Sequence, residues 1–259
     1  MYLTYLDSNS WLIEIGGKTI LLDPWLFDNL TFGNADWFFK GTKLKQREIP
    51  EHIDLILLSQ GLEDHAHVPT LKKLDKNIPV VASVNAAKVV QELNYTNITS
   101  LDHGEEFTLD DKVKIKAFPG SLVGFNLIEN GYLLTELDTG FSLYYEPHGN
   151  HPNSLKEIAP VDVAIAPLVN LGLPLVGAFI KGGESALELA KILQPQVMLS
   201  TAAGGEVEFE GLLTKILTAE GTIEDFQELL KKYNLNTQVI DPKAGDRLEV
   251  KLEKRELVA

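Results

Sequence analysis

LILLSQGLEDHAHVPTL, residues 55–71, is the stretch from which the rest of the chain is read. Leu55, Ile56, Leu57 and Leu58 form an uninterrupted apolar run, the pattern of a strand buried on both faces. Ser59-Gln60-Gly61 breaks that run into a short polar loop carrying Glu63, Asp64, His65 and His67. Pro69 then stands where a helix begins, and residues 70–74 read as its first turns. A buried strand that empties at its C-terminal end into two carboxylates and two imidazoles marks a candidate chemical centre.

On the N-terminal side, residues 2–6 and 11–15 are strand-like around a turn at Asp7-Ser8-Asn9-Ser10. Gly16-Gly17 is a tight turn signal, and residues 18–22 return to end in Asp23-Pro24-Trp25. Residues 27–50 are irregular and aromatic (Phe27, Phe32, Trp37, Phe38, Phe39). Such rings either pack back onto the core or wall a pocket, and with only Lys40 among them a membrane-dipping loop is disfavoured.

Beyond the central loop, strands are expected at 78–82, 98–101, 107–109, 113–118, 126–128, 133–137 and 142–145. Breaks fall at Pro119-Gly120-Ser121, Asn130-Gly131 and Thr139-Gly140, and a helix is expected at 86–93. The second half reads as strand 161–167, helix 184–193 with apolar residues at 186, 187, 190 and 193, and strand 196–201. Helix 223–233, with Thr222 as its N-cap, and strand 237–240 follow. Hairpins interleaved with strand–helix units predict an α+β fold in one domain, 1–259. Two sheets would pack face to face with helices outside, a four-layer αββα sandwich.

Composition narrows the function. The 259 residues are 44% hydrophobic and 23% charged, ordinary for a globular chain. With no cysteine, disulfides, thiolate metal sites and thiol catalysis are excluded, which suits a cytoplasmic location. A net charge of −14 argues against nucleic acid as a partner and leaves a small molecule. No apolar run approaches the ~20 residues that span a bilayer, and the MYLTYLDSNSW start has no basic, then apolar, leader pattern.

A strand followed by a small polar residue, H-x-H-x-D-H and a helix is the signature of the metallo-β-lactamase fold hydrolases, and residues 55–71 resemble it. Gln60, Gly61, Leu62, Glu63, Asp64 and His65 fall on the motif, so the last two positions match while Gln60 and Leu62 replace its first two histidines. The hairpin ending in LLDPWL is a second point of resemblance, which extends over nearly the whole chain and points to the branch of ascorbate-6-phosphate lactonase-like hydrolases.

The resemblance implies two metal sites. The first would draw on Gln60, Leu62 and a residue near Ser121, and these cannot hold an ion. The second would draw on Asp64 and His65, with His148 (or Glu146) at the position of the bridging acid and Thr201 or a neighbouring small residue in place of the last histidine. The expected site is therefore one divalent ion, zinc, manganese or iron, on Asp64, His65 and His148, with Asp64 also catalytic. His67 is a further partner or substitute ligand, His151 lies close in sequence, and Asp23 is placed to orient an imidazole.

Two functions follow. One is metal-dependent hydrolysis of an ester, lactone or phosphoester. The other is a catalytically silent protein whose Asp64 caps loop amides and whose pocket binds a small molecule or a protein. No phosphate-binding loop, nucleophile elbow or dinucleotide fingerprint is present. Gly182-Gly183-Glu184 reads either as an ordinary helix start or as an anion site, and Ala202-Ala203-Gly204-Gly205 as a turn beside the cleft.

Overall fold

Leu55 and Leu57 point into one apolar cluster and Ile56 and Leu58 into another, so the Leu55–Leu58 strand is sandwiched between two hydrophobic layers. A period of two with every position apolar is what a central strand requires when both of its faces are covered. The structure, a computed structural model, describes residues 1–123, 127–202 and 204–255.

Leu55–Leu58 is the fifth strand of a seven-stranded sheet. Its order is Arg247–Glu249, Tyr2–Tyr5, Trp11–Ile15, Lys18–Leu22, Leu55–Leu58, Val80–Ala82 and Ile98–Ser100. From Lys18–Leu22 onward the strands are parallel. A second seven-stranded sheet runs Gln238–Ile240, Val197–Ser200, Val163–Ala166, Ser142–Tyr145, Leu127–Glu136, Val113–Val123 and Glu106–Leu109. Its first four strands are parallel.

Leu3, Ile13, Ile20 and Leu57 of the first sheet meet Ile115, Tyr132, Leu143 and Ile165 of the second across a shared interior. Helices Val68–Lys73 and Val84–Glu92 cover the outer face of the first sheet through Leu71, Ala86 and Val90. Gly183–Leu193 and Ile223–Lys232 cover the second through Leu187, Leu193, Phe226 and Leu230. The layers are αββα, as the alternation of hairpins and strand–helix units predicts. Ser83 and Thr222 cap their helices by accepting from the amides of Ala86 and Asp225. No helix among the described residues is long and apolar enough to cross a membrane.

Several local expectations are corrected. Pro119-Gly120-Ser121 does not end a strand: Val113–Val123 runs through it, with a register shift between Pro119 and Leu122. A bulge absorbs the proline's missing donor and re-aims the following side chains. Asn130-Gly131 is not a turn either, but lies inside Leu127–Glu136. A Cβ on Gly131 would press on Glu146 Cγ and the Tyr145 carbonyl, both 3.1 Å away, so close strand approach rather than turning requires this glycine. The run expected from residue 126 begins outside the described residues, as does Ala203 of the turn at 202–205.

The segment 27–50 is not wholly irregular. Leu30–Thr31 and Lys40–Lys43 pair with each other, and Val207–Glu210 completes a small sheet. Another small sheet joins Asn170–Leu173, Gly177–Ile180 and Thr218–Glu220. The two small sheets stand on one end of the sandwich.

Candidate metal centre

That end is the C-terminal edge of the parallel strands in both large sheets. Past Leu58, the Ser59 and Gln60 side chains are fully buried. Past Leu22, Asp23 takes a positive φ of 43°, tolerable for an aspartate, and its amide donates to the carbonyl of Leu57. Past Tyr145, the Glu146 amide donates to Ile165 and Pro147 turns the chain toward His148.

Asp64, His65 and His148 are brought together, with one ligand atom from each within 4.8 Å of the others. His65 has no exposed side-chain surface, and its Nε2 lies 3.3 Å from Asp64 Oδ2. Its Nδ1 lies 2.7 Å from Asp23 Oδ2. Burial pushes the His65 pKa down, but the carboxylates of Asp64 and Asp23 on either side outweigh it and hold it up at about 10. Asp64 is also penalised by burial, yet His65 beside it brings its carboxyl below the usual range. His148 is kept neutral, its pKa lowered to about 4 by burial and by the proximity of His65.

Asp23 is the hub of this arrangement. Besides His65 it accepts from the Ser59 amide at 2.7 Å, the Ser59 hydroxyl at 2.5 Å and the Tyr145 hydroxyl at 2.7 Å. Asn9, from the first turn, donates Nδ2 to Asp64 Oδ2 at 3.1 Å and lies 3.4 Å from His65 Nε2. Sequence reasoning read that turn only as a turn. Its one signal was four consecutive polar residues between strands, and all four prove buried.

The other expected residues divide. Gln60 Nε2 lies 3.2 Å from His148 Nδ1 and 3.5 Å from Ser121 Oγ, and Ser121 donates to Glu146 at 2.6 Å. Two of the three positions of the first site, Gln60 and Ser121, are thus joined by a hydrogen bond between neutral groups. Burial raises Glu146 to about 7, although Ser121 and the amides of Asn150 and His148 donate to it.

His67 is not a partner of the triad. It caps Val68–Lys73, accepting from the Thr70 amide, and its Nε2 faces the Asn29 carbonyl at 3.1 Å. His151 meets the Tyr144 hydroxyl instead. Thr201 accepts from Trp11 and donates to Ser8. At Gly182-Gly183 the amides are already used, by Asn170 and by the Leu168 carbonyl.

The triad fits a divalent cation on a structural ground. Asp64 Oδ1 is buried without a hydrogen-bond partner, as are the neighbouring Asn9 Oδ1 and Gln60 Oε1. An orphaned carboxylate oxygen beside two imidazoles is a donor set that a cation satisfies.

Above Asp64 opens a cavity of about 490 Å³, whose floor includes Asn9 and Asp64. Leu30 and Phe209 of one small sheet, Phe32 and Phe39 beside its strands, and Leu171 and Phe179 of the other sheet line it. The aromatic segment is therefore both packed, through Leu30 and Phe39 against Trp25, and a cavity wall.

Known proteins share this fold. A family model described as a Beta-lactamase superfamily domain matches residues 2–202. A UPF0173 metal-dependent hydrolase of Thermoplasma acidophilum is 23% identical over 198 residues, covering 71% of this chain and 75% of that protein. Another UPF0173 metal-dependent hydrolase, of Anoxybacillus flavithermus, is 32% identical over 123 residues, 47% of this chain and 49% of that one. A metallo hydrolase of Ignicoccus hospitalis superposes with a TM-score of 0.67 at 16% identity, covering 96% of this chain and 99% of that chain. With its αββα layers and a family match spanning most of its length, the chain belongs to the β-lactamase superfamily, in the metallo-β-lactamase fold and akin to its metal-dependent hydrolases.

Proposed function

We propose that the protein is a cytoplasmic hydrolase that uses one divalent ion, zinc, manganese or iron, on Asp64, His65 and His148 to cleave a small ester, lactone or phosphoester. The observation that carries this reading is the convergence of the three ligand atoms within 4.8 Å, with Asp64 of the three lining the cavity. When bound, the ion supplies Lewis acidity and a water of lowered pKa.

The chain's own residues do the rest. Asp23 accepts the hydrogen bond of the His65 Nδ1–H, so that an ion displacing the Nε2 proton would be held through Nε2. Asn9 holds Asp64 Oδ2, which leaves the unpartnered Oδ1 as the oxygen that would hold the ion. Turning the Gln60 amide so that its unpartnered Oε1 accepts the His148 Nδ1 proton would leave His148 Nε2 to the ion.

One observation favours the second reading, a small-molecule binder without turnover. A protonated His65 between Asp23 and Asp64 compensates both carboxylates without an ion. Metal content of protein purified without chelator separates the two. About one ion per chain, lost in His65→Ala and in His148→Ala, supports the hydrolase; none in repeated preparations overturns it.

A further inference from the structure

The charge of the cavity walls limits what can enter. Among the described residues lining it, Asp64 is the single charged one, and no lysine or arginine is present. The buried cations near it are already paired: His65 lies between Asp23 and Asp64, outside the lining. Lys43 Nζ sits 2.6 Å from Asp7 Oδ2, and Arg47 bonds both Asp7 oxygens and Glu206. A phosphate or carboxylate brought into this space would meet one carboxylate and several phenyl rings, with no donor fork to replace its water.

The walls are mostly apolar. Leu213 packs with Leu30 and Phe39, and Val169, Leu171, Leu217 and Ala219 add to the lining. The polar lining is Ser8, Asn9 and Asp64, together with Asn170 and Thr214, whose side chains are bonded to the Gly182 amide and the Gly211 carbonyl. A molecule with one polar reacting end and an apolar remainder matches that lining, and at about 490 Å³ the cavity lies in the range of sites for small organic ligands.

We infer that the group recognised above Asp64 is uncharged and apolar, an alkyl or aryl chain whose ester or lactone carbonyl lies at the Asp64 end, which narrows the proposed substrates from phosphoesters to esters and lactones. The assignment rests on the hydrolase reading for the words ester and lactone, and on the cavity alone for the apolar chain.

Binding is tested without turnover. The protein is titrated with Nile red, an uncharged apolar dye, and the dye is displaced by straight-chain methyl ketones from butanone to nonanone. Competing affinity is expected to rise about fourfold per methylene until the cavity is filled, as burial of one methylene dictates. Ala219→Asp, at the exposed rim opposite Leu171, is expected to weaken dye and ketones at least about tenfold by setting a charge against them. Butyl phosphate is expected not to compete. A flat ketone series, competition by butyl phosphate equal to that of butanone, or an Ala219→Asp variant that binds like the parent overturns the inference.

Turnover of para-nitrophenyl octanoate in preference to the acetate and the phosphate is the matching kinetic result, and preference for the phosphate overturns it. Metal content reads the triad and the ketone series reads the cavity, so either can fail alone. A metal-loaded chain with a flat series removes the apolar assignment, whereas a graded series on a metal-free chain removes the hydrolase reading only.

Discussion

Asp23 and His65, 42 positions apart in the chain, share a hydrogen bond of 2.7 Å with no solvent access to either side chain. The bond makes the acid that ends one strand the determinant of which imidazole nitrogen the next strand's loop presents. Asp23→Asn keeps the shape and removes the charge. It is expected to weaken divalent-ion uptake about tenfold to a hundredfold, the usual cost of removing such a support. Competition against a chromogenic chelator measures it, and an unchanged affinity would show that Asp23 supports only the fold.

The Asp7–Lys43–Arg47 cluster stabilises the same end of the molecule without taking part in its chemistry. The Lys43 and Asp7 side chains are entirely buried. Burial pushes the Asp7 carboxyl up, but Arg47 and Lys43 prevail and bring it below the usual range. Asp7→Asn leaves two cations facing each other out of water, at an expected cost of about 3–5 kcal/mol. Urea unfolding checks this, and a loss under about 1 kcal/mol would mean that water reaches Lys43.

Gly149 holds the His148 loop against the neighbouring strand. Its φ is +77°, a Cβ there would collide with the Lys181 carbonyl, and the Lys181 amide donates to the His148 carbonyl at 2.8 Å. Gly149→Ala is expected to lower stability by about 1–3 kcal/mol and to weaken metal uptake in parallel, because relief requires moving the loop that carries His148. Gly140→Ala, also at positive φ but with open space around it, is the control. It should lose stability through backbone strain while metal uptake holds.

His151 predicts an acid response. Burial, with Lys181 nearby, lowers its pKa to about 3. The unfolded chain takes up this proton near pH 6.5, well before the folded one. The stability that a neutral His151 contributes is therefore present above about pH 6.5 and is lost as pH falls toward 3. Replacement by Asn should flatten the stability–pH curve in that window by up to about one proton, measured by urea unfolding at a series of pH values. His67, lowered to about 4 by burial, titrates in the same direction and leaves part of the slope in place.

Much of this was legible in the residues. Uninterrupted apolar runs such as 55–58 mark central strands, and Asp64-His65 identified the family because the motif keeps those two positions together. Asp23 was readable from LLDPW. What escaped notice had weak local signals. The Asn170–Leu173 and Gly177–Ile180 hairpin and the Val207–Glu210 and Thr218–Glu220 strands are three or four residues long and partly exposed, too short for a period to show. Asn9 reaches Asp64 only through a contact 55 residues distant, which no local pattern encodes. Asn130-Gly131 misled because the same dipeptide that favours a tight turn also suits a strand pressed against its neighbour.

The floor and the walls above Asp64 come from different parts of the chain. Parallel strand ends of the two large sheets supply the floor, while the walls are short ribbons added to one edge. Reactivity and selectivity can therefore drift apart over evolutionary time. A ribbon can be recast for a new guest while the triad beneath it stays put, and an enzyme can likewise lose its ion and live on as a receptor.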